Sequence, residues 1–272
     1  QLYFYYNKND DLTEWNASVV GPDTYKPIDL FERDKLEENW RAYDYGSVVN
    51  GPSDWNVSQG VLTQLSNIAQ SSYSAGTTND GSHLIYEGHT DPTLNRTVGV
   101  RIEVPDPGDA TGLGTISLIF CRQDENNYYA LVVDLTNATA ANPTVQAKLV
   151  KVSSGSQGDL TAFQTVDWGG EGTAGSSNIR SSHSLKVTFG EDAAIYGYVD
   201  DVPLSNAGDD NEFRHGNVAI GVNRALDVQF DNFGFITSTT MKSAVGYGES
   251  NVAGRPGEDK RRIGENIEIA TD

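Results

Sequence analysis

Apolar and polar residues alternate through most of the chain after residue 28, and the alternation has the period of a strand. Val100, Ile102 and Val104 are separated by Arg101 and Glu103, the pattern of a half-buried strand, and Pro105-Asp106-Pro107-Gly108 stops it. Segments 116–122 and 128–135 flank Asp124-Glu125-Asn126-Asn127, whose turn-forming residues predict a hairpin. Residues 146–152 read as the next strand and end at the Ser/Gly-rich stretch 153–158. Leu185, Val187 and Phe189 alternate with Lys186 and Thr188, and after the turn at Gly190-Glu191-Asp192 the segment 195–199 returns. Val218, Ile220 and Val222 precede a turn at 223–226, and Val228 and Phe230 close the pattern before Asp231-Asn232-Phe233-Gly234-Phe235. Turn signals recur every ~8–12 residues, the spacing of a β-sandwich. There is no sustained helical period and no internal repeat; only Leu30 to Trp40 has the look of a helical turn.

Residues 50–68 are the most informative stretch. Trp55 and an apolar Val61/Leu62 strand lie on either side of a tight Ser58-Gln59-Gly60 turn, which predicts another hairpin. Two segments fall outside the alternating pattern. The first, 1–27, opens with Leu2-Tyr3-Phe4-Tyr5-Tyr6, β-prone and too aromatic to be left in water. The second, 237–272, is Gly/Ser-rich and charged, and carries Lys260-Arg261-Arg262 before the alternating stretch 263–269. The expected organisation is an N-terminal β-prone extension (1–27), an all-β sandwich (28–236) and a C-terminal extension (237–272).

A length of 272 residues allows one large all-β domain or two small domains, and is ample for a real core. Lys+Arg 19 against Asp+Glu 38 gives a net charge of −19, so most of the surface repels a phosphate backbone and nucleic acid is excluded as a partner. The single cysteine, Cys121, lies in the apolar run 116–121, which rules out an internal disulfide and predicts a buried, inert thiol. No stretch has the length and apolar content of a membrane span. The chain opens at Gln1 without Met, as expected of a mature product whose leader has been removed, and the expected location is extracellular or at the cell surface. Sequons at Asn16, Asn56, Asn95 and Asn137 are candidate glycosylation sites.

Several ordered segments carry a resemblance to a known family. Trp55 to Gln64 is similar to the W-x-V-x-x-G-x-L-x-Q hairpin of jelly rolls in the concanavalin A-like lectin/glucanase superfamily, especially laminin-G-like domains and the lectin-like C-terminal domain of thrombospondins. Leu30-Phe31-Glu32 with Trp40 resembles the opening of that family, Phe120 to Tyr129 its central hairpin, and Ser184 to Asp201 a later strand pair, with Asp201 in place of the usual glycine. His215 to Gly221 and Phe230 to Phe233 resemble its closing strands. The resemblance spans about residues 28 to 236 and implies an antiparallel two-sheet jelly-roll sandwich. Its motifs are mainly structural, and function has to be argued from sites.

The family's glycosidases carry a Glu-x-Asp-x-x-Glu strand, because retaining cleavage needs two carboxyls about 5–5.5 Å apart, and this chain has none. Arg101-Ile102-Glu103 resembles half of a lyase strand but runs into Val104-Pro105, and the four histidines form no metal-protease or nucleophile motif. A non-enzyme is expected. The resemblance implies a structural calcium at loops joining the sheets, for which Asp209, Asp210, Glu212, Asp231 and Asn232 are the densest oxygen donors, with Glu32 and Asp34 near the first strand. Sugar-binding modules stack pyranose rings on exposed aromatics; Trp168 is the leading candidate, with Tyr86, Trp15 and Tyr247 beside it, whereas Trp40 and Trp55 match core positions.

Two functions stay open. One is a structural subunit of an extracellular assembly, a homo-oligomer or polymer whose terminal extensions clasp the next copy by strand addition. The other is a calcium-dependent glycan-binding or adhesion module. A polysaccharide-degrading enzyme is a distant third.

Overall fold

The computed structural model describes residues 24–33, 35–45, 48–70, 74–88, 96–104, 113–138, 144–168, 182–190, 194–204, 208–210 and 212–237. All regular structure among them is β-strand. The first strands are β1 (Thr24–Asp29), β2 (Trp40–Asp44), β3 (Val48–Val49), β4 (Trp55–Ser58), β5 (Val61–Gln64), β6 (Ala69–Gln70), β7 (Ser82–Tyr86) and β8 (Arg96–Glu103). The middle of the chain forms β9 (Thr115–Asp124), β10 (Asn127–Asp134), β11 (Thr144–Ser153), β12 (Ser156–Asp159) and β13 (Gln164–Asp167). The last are β14 (Ser182–Phe189), β15 (Ala194–Val199), β16 (Val202–Pro203), β17 (Gly208–Asp209), β18 (Asn217–Asn223) and β19 (Gln229–Thr237).

Nine strands make one antiparallel sheet, ordered β16-β15-β14-β8-β19-β5-β4, with β1 beside β19 and β17 beside β15. Eight make the other, ordered β12-β11-β10-β9-β18-β7-β2, with β13 beside β11, while β3 and β6 form a short ribbon. Leu118, Phe120, Leu131, Val133, Leu149 and Ile220 from the eight-stranded sheet meet Val100, Ile102, Leu185, Val187 and Phe230 from the nine-stranded sheet in one core. Burying each such side chain contributes about 1.5–3 kcal/mol. The hairpin expected at Trp55 forms with Ser58 opposite Val61. Its turn residues have φ of 55° (Gln59) and 84° (Gly60), the left-handed pair that matches strand twist in a two-residue loop.

The central strands of the eight-stranded sheet are apolar on both faces. Tyr129, Leu131 and Val133 point into the sandwich, and Tyr128, Ala130 and Val132 point outward to a second cluster with Ile85, Ile119, Val150, Val152 and Ala219. That two-sided burial explains why residues 128–135 read as a continuous apolar run.

Strand β9 contains an irregularity that re-aims one side chain. Ile116, Leu118 and Phe120 face inward, and unbroken alternation would send Arg122 into the core behind them. Instead Cys121 adopts φ 49°, and the register shifts against both neighbours of β9 in the sheet. Cys121 joins Phe120 in the core, and Arg122 turns to the outer face. Such a bulge both bends a strand and redirects its side chains. Gly216 makes room for it: its φ is 140°, and a Cβ there would lie 2.6 Å from the Arg122 carbonyl oxygen and 2.7 Å from the Cys121 carbonyl carbon.

The strands expected at 100–104, 116–122, 128–135, 146–152, 185–189, 195–199 and 218–222 are present, most of them longer than the alternating stretch. The described residues between 30 and 39 show no helical turn; bends and a hydrogen-bonded turn lead into β2, anchored by Asp29, which accepts from the Phe31 N–H (2.7 Å) and Trp40 Nε1 (2.7 Å). Strands β2 and β7 were not legible in the alternation, because Ser82 to Ile85 are buried on both faces. Cys121 is buried and belongs to no disulfide, as its apolar setting predicts. The terminal extensions lie outside the described residues except for 24–27 in β1 and Thr237 in β19, and the self-assembly expected of them rests on residues outside that set. Among the described residues no helix is long and apolar enough to cross a membrane.

Candidate binding face on the eight-stranded sheet

The outer face of the eight-stranded sheet carries a polar and aromatic layer over the apolar floor of Ile85, Ile119, Ala130 and Ala219. Tyr43 enters from β2, Tyr45 from just beyond it, His83 from β7, Arg122 from the β9 bulge and Tyr128 from β10. Their rings form a chain: Tyr43 to Tyr45 5.2 Å, Tyr45 to His83 5.1 Å and His83 to Tyr128 5.3 Å between centroids. The Arg122 guanidinium lies 5.8 Å from the Tyr43 ring centre. The loop before β7 crosses this layer. Thr78 offers its carbonyl to His83 Nε2 (2.8 Å), shares a hydrogen bond between its hydroxyl and that of Tyr128 (2.9 Å), and donates its N–H to Gln157 Oε1 (2.9 Å).

These contacts require the face to curl. Strands β7 and β10 are three spacings apart, about 14 Å on a flat sheet, yet the His83 and Tyr128 rings meet at 5.3 Å. Tyr45 likewise donates to the Glu125 carbonyl in the β9–β10 turn at 2.9 Å. The eight-stranded sheet therefore folds into a trough, with the polar layer inside it.

Burial controls the electrostatics there. His83, 1% exposed, is pushed down to about 3 by burial, with the Arg122 charge acting the same way against the Thr78 hydrogen bond. It is neutral, and because Nε2 must donate to a carbonyl, Nδ1 presents a lone pair. Burial pushes the Tyr128 hydroxyl up to about 12 and raises Tyr45 further, so both stay protonated. It also raises Asp80 and lowers Arg122.

Eight buried side-chain polar atoms lack a hydrogen-bond partner among the described residues, and four of them belong to this face: His83 Nδ1, Arg122 Nε, Asn217 Oδ1 and Asn223 Oδ1. Buried polar groups are normally satisfied, so orphans on one face are a place to look for a ligand; they run along β18, with Arg122 beside Asn217 at one end and His83 and Asn223 toward the other. Sequence reading missed this site. One signal was available: a charged residue at the core parity of an apolar strand, Arg122 after Ile116, Leu118 and Phe120, marks a bulge.

The aromatic candidates lie elsewhere. Trp168 is 1% exposed and stacks on His183 with ring centroids 4.0 Å apart and planes 11° from parallel, so the expectation of an exposed platform is corrected: neither face of the indole is open to a pyranose. Tyr86 is half-buried at the inner edge, 5.1 Å from Trp40. Trp40 and Trp55 pack on the core as expected. Trp15 and Tyr247 lie outside the described residues.

The acidic candidates do not converge as a group. Asp210 and Glu212 close on the Lys151 ammonium at 2.5 and 2.6 Å, so a cation already occupies the space between them. Asp231, in β19, accepts from the Asn232 N–H (2.6 Å) and side-chain amide (3.2 Å). Glu32 is exposed; the Asp209 side chain and Asp34 lie outside the described set. Among the described residues no three His, Cys, Asp or Glu side chains are grouped to hold a metal ion. Asn56 on β4 and Asn137 after β10 are exposed, and Asn16 and Asn95 lie outside the described residues.

Burial alone would raise Asp210, but Lys151, the Tyr129 hydroxyl and the Glu212 N–H hold its carboxyl below the ordinary range. A depressed carboxylate stabilises the fold above its unfolded pKa and loses that contribution as the pH falls through the folded one. Asp210→Asn is expected to cost about 1–2 kcal/mol near neutrality, discounted for partial exposure. The gap to the wild type, measured by urea denaturation, should close below that lowered pKa; a gap independent of pH would refute the charge-based account.

The architecture defines the fold class: two antiparallel sheets packed face to face in a jelly-roll sandwich. Among solved structures the chain is similar to β-agarase A from Zobellia galactanivorans (TM-score 0.50, 10% identity, covering 82% of this chain and 97% of that one). It is also similar to the Bacillus licheniformis β-glucanase (0.47, 14% identity, 81% and 100%) and to the carbohydrate-binding module CBM66 from Bacillus subtilis (0.46, 18% identity, 70% and 95%). At such identities the likeness concerns the fold alone, and the agarase match carries it. No protein-family model matches the sequence, and none of the curated proteins does.

Proposed function

We propose that the protein is a non-catalytic glycan-binding jelly roll, acting outside the cell or at its surface, which holds its ligand in the trough of the eight-stranded sheet. One observation carries the reading: His83 Nδ1, Asn217 Oδ1 and Asn223 Oδ1 are buried acceptors without donors, and Arg122 Nε is a buried donor without an acceptor. A polyol supplies hydroxyl groups that both donate and accept, and the surrounding tyrosines supply apolar edges for its carbon skeleton. The carboxyls nearby are otherwise engaged, which supports binding over bond cleavage. Asp124 accepts from the Asn126 N–H and the Asn127 amide, both at 2.8 Å, and Asp80 accepts from the Thr77 hydroxyl at 3.0 Å. Glycosidases need two carboxyls poised across the scissile bond.

Asn217→Ala separates ligand chemistry from structure. Removing a buried oxygen that has no partner relieves an unpaid desolvation cost, so the melting temperature is expected to hold or rise. Affinity for a retained glycan is expected to fall about tenfold, the loss of one hydrogen bond of about 1.4 kcal/mol. The measurement is a glycan array with the intact protein, followed by calorimetric titration of wild type and variant. An array with no retained glycan, or an unchanged affinity in the variant, overturns the reading.

A further inference from the structure

Arg122 narrows the class of ligand. Arg122 is 5% exposed, and the backbone sets its position: the left-handed Cys121 and the cleared space at Gly216 turn it out of the core and into the trough. There its buried Nε has no hydrogen-bond partner among the described residues. Its neighbours are the Tyr43 ring at 5.8 Å, Tyr45 and Tyr128, and the Glu125 and Asp124 carboxylates, which act on its charge without an ion pair. Other buried cations of the chain do have carboxylates: Lys148 has Asp159 at 2.7 Å, and Lys186 has Asp201. A desolvated guanidinium left without an anion is costly, and arginine is the residue whose planar fork fits a carboxylate or sulfate.

We propose that the glycan held in the trough carries an anionic substituent, a uronate carboxylate or a sulfate ester, which pairs with the Arg122 guanidinium. The proposal rests on the glycan-binding reading and adds the charge of the ligand. Asn217, opposite Arg122 across the β9–β18 pair, would accept from a hydroxyl of that sugar, and the neutral His83, level with Gly221 four residues further along β18, from a neighbouring unit of the glycan chain. The net charge of −19 does not contradict this. It repels a long polyanion at a distance, but a short oligosaccharide that reaches the trough meets a buried charge that salt screens little. Raising the salt concentration should therefore leave the affinity unchanged or higher, the reverse of loose surface attraction.

The test uses the intact protein and three probes: oligogalacturonate, its methyl ester and a sulfated oligogalactan, each titrated by calorimetry. At least one anionic probe is expected to bind ten or more times tighter than the neutral ester, and which one wins identifies carboxylate or sulfate. Arg122→Met is expected to erase that preference while the melting temperature holds or rises. If the neutral ester or other neutral glycans bind as well as both acids, the anionic ligand is refuted while glycan binding stands. If no glycan binds at all, the underlying reading fails. A steep loss of affinity with salt also overturns the assignment to Arg122. Should Arg122→Met fold poorly, the acid-to-ester ratio of the wild type still decides.

Discussion

Trp168→Ala is expected to destabilise the protein by about 3–5 kcal/mol, the cost of deleting a large buried aromatic and leaving a cavity. The indole follows β13 at the edge of the eight-stranded sheet, yet it stacks on His183 at the start of β14 in the nine-stranded sheet. It therefore ties the two layers where the chain passes between them. His183 is held from its other side by Asp200, 2.7 Å from Nδ1, and Asp200 also accepts from the Ser184 N–H at 2.7 Å, so losing the indole also frees an ordered pair. Urea denaturation of wild type and variant measures the effect. A loss below about 1 kcal/mol would mean that the ring is dispensable to packing, and would reopen the sugar-platform role that its sequence context invites.

Acidification should weaken the fold through His83 more than through any other single group in the trough. The sign follows from the shift: the folded imidazole is held at about 3 against an ordinary 6.5, so the unfolded state binds the extra proton first. Stability is complete above the unfolded pKa and declines as the pH falls from 6.5 toward 3. At about 1.4 kcal/mol per unit the full loss is on the order of 5 kcal/mol. The groups facing the ring explain why protonation is resisted: the Arg122 cation repels a second charge, and Tyr45 and Tyr128 keep their protons. His83→Gln keeps a donor toward the Thr78 carbonyl and removes the titrating group. The slope of stability against pH, followed by urea denaturation between neutrality and strong acid, should flatten in the variant. Parallel slopes for the two proteins would show that the acid sensitivity resides elsewhere.

The two results bear on different parts of the molecule. Trp168 reports on how the layers are joined, and His83 on the buried polar layer of the trough. Polar groups that remain unsatisfied in the fold are usually retained where a ligand completes them. Removing such groups should cost binding rather than stability, as expected for Asn217 and Arg122.

Fold and site were legible to different degrees in the sequence. Alternation at 100–104, 185–189 and 218–222 predicted strands because which face a side chain takes depends only on its neighbours along the chain. The Gln59-Gly60 turn was legible because left-handed φ is a local demand. Together these determined an antiparallel β-sandwich. Burial of Trp168 was not legible, since its own segment, with Asp167 before it and Gly169-Gly170 after it, is polar and glycine-rich, and the His183 ring that stacks on it comes from the other sheet. Asp210 and Glu212 read as oxygen donors for a metal because Lys151, 59 residues from Asp210, is invisible to local pattern. Arg122 read as one more residue of a core strand until pairing with β18 and β10 inserted the bulge. By itself, then, the sequence determined strand periods, turns and charge, all properties of neighbours in the chain. Tertiary structure alone decided which polar atoms were stripped of water, because desolvation and pairing depend on residues that meet only when the sheets close.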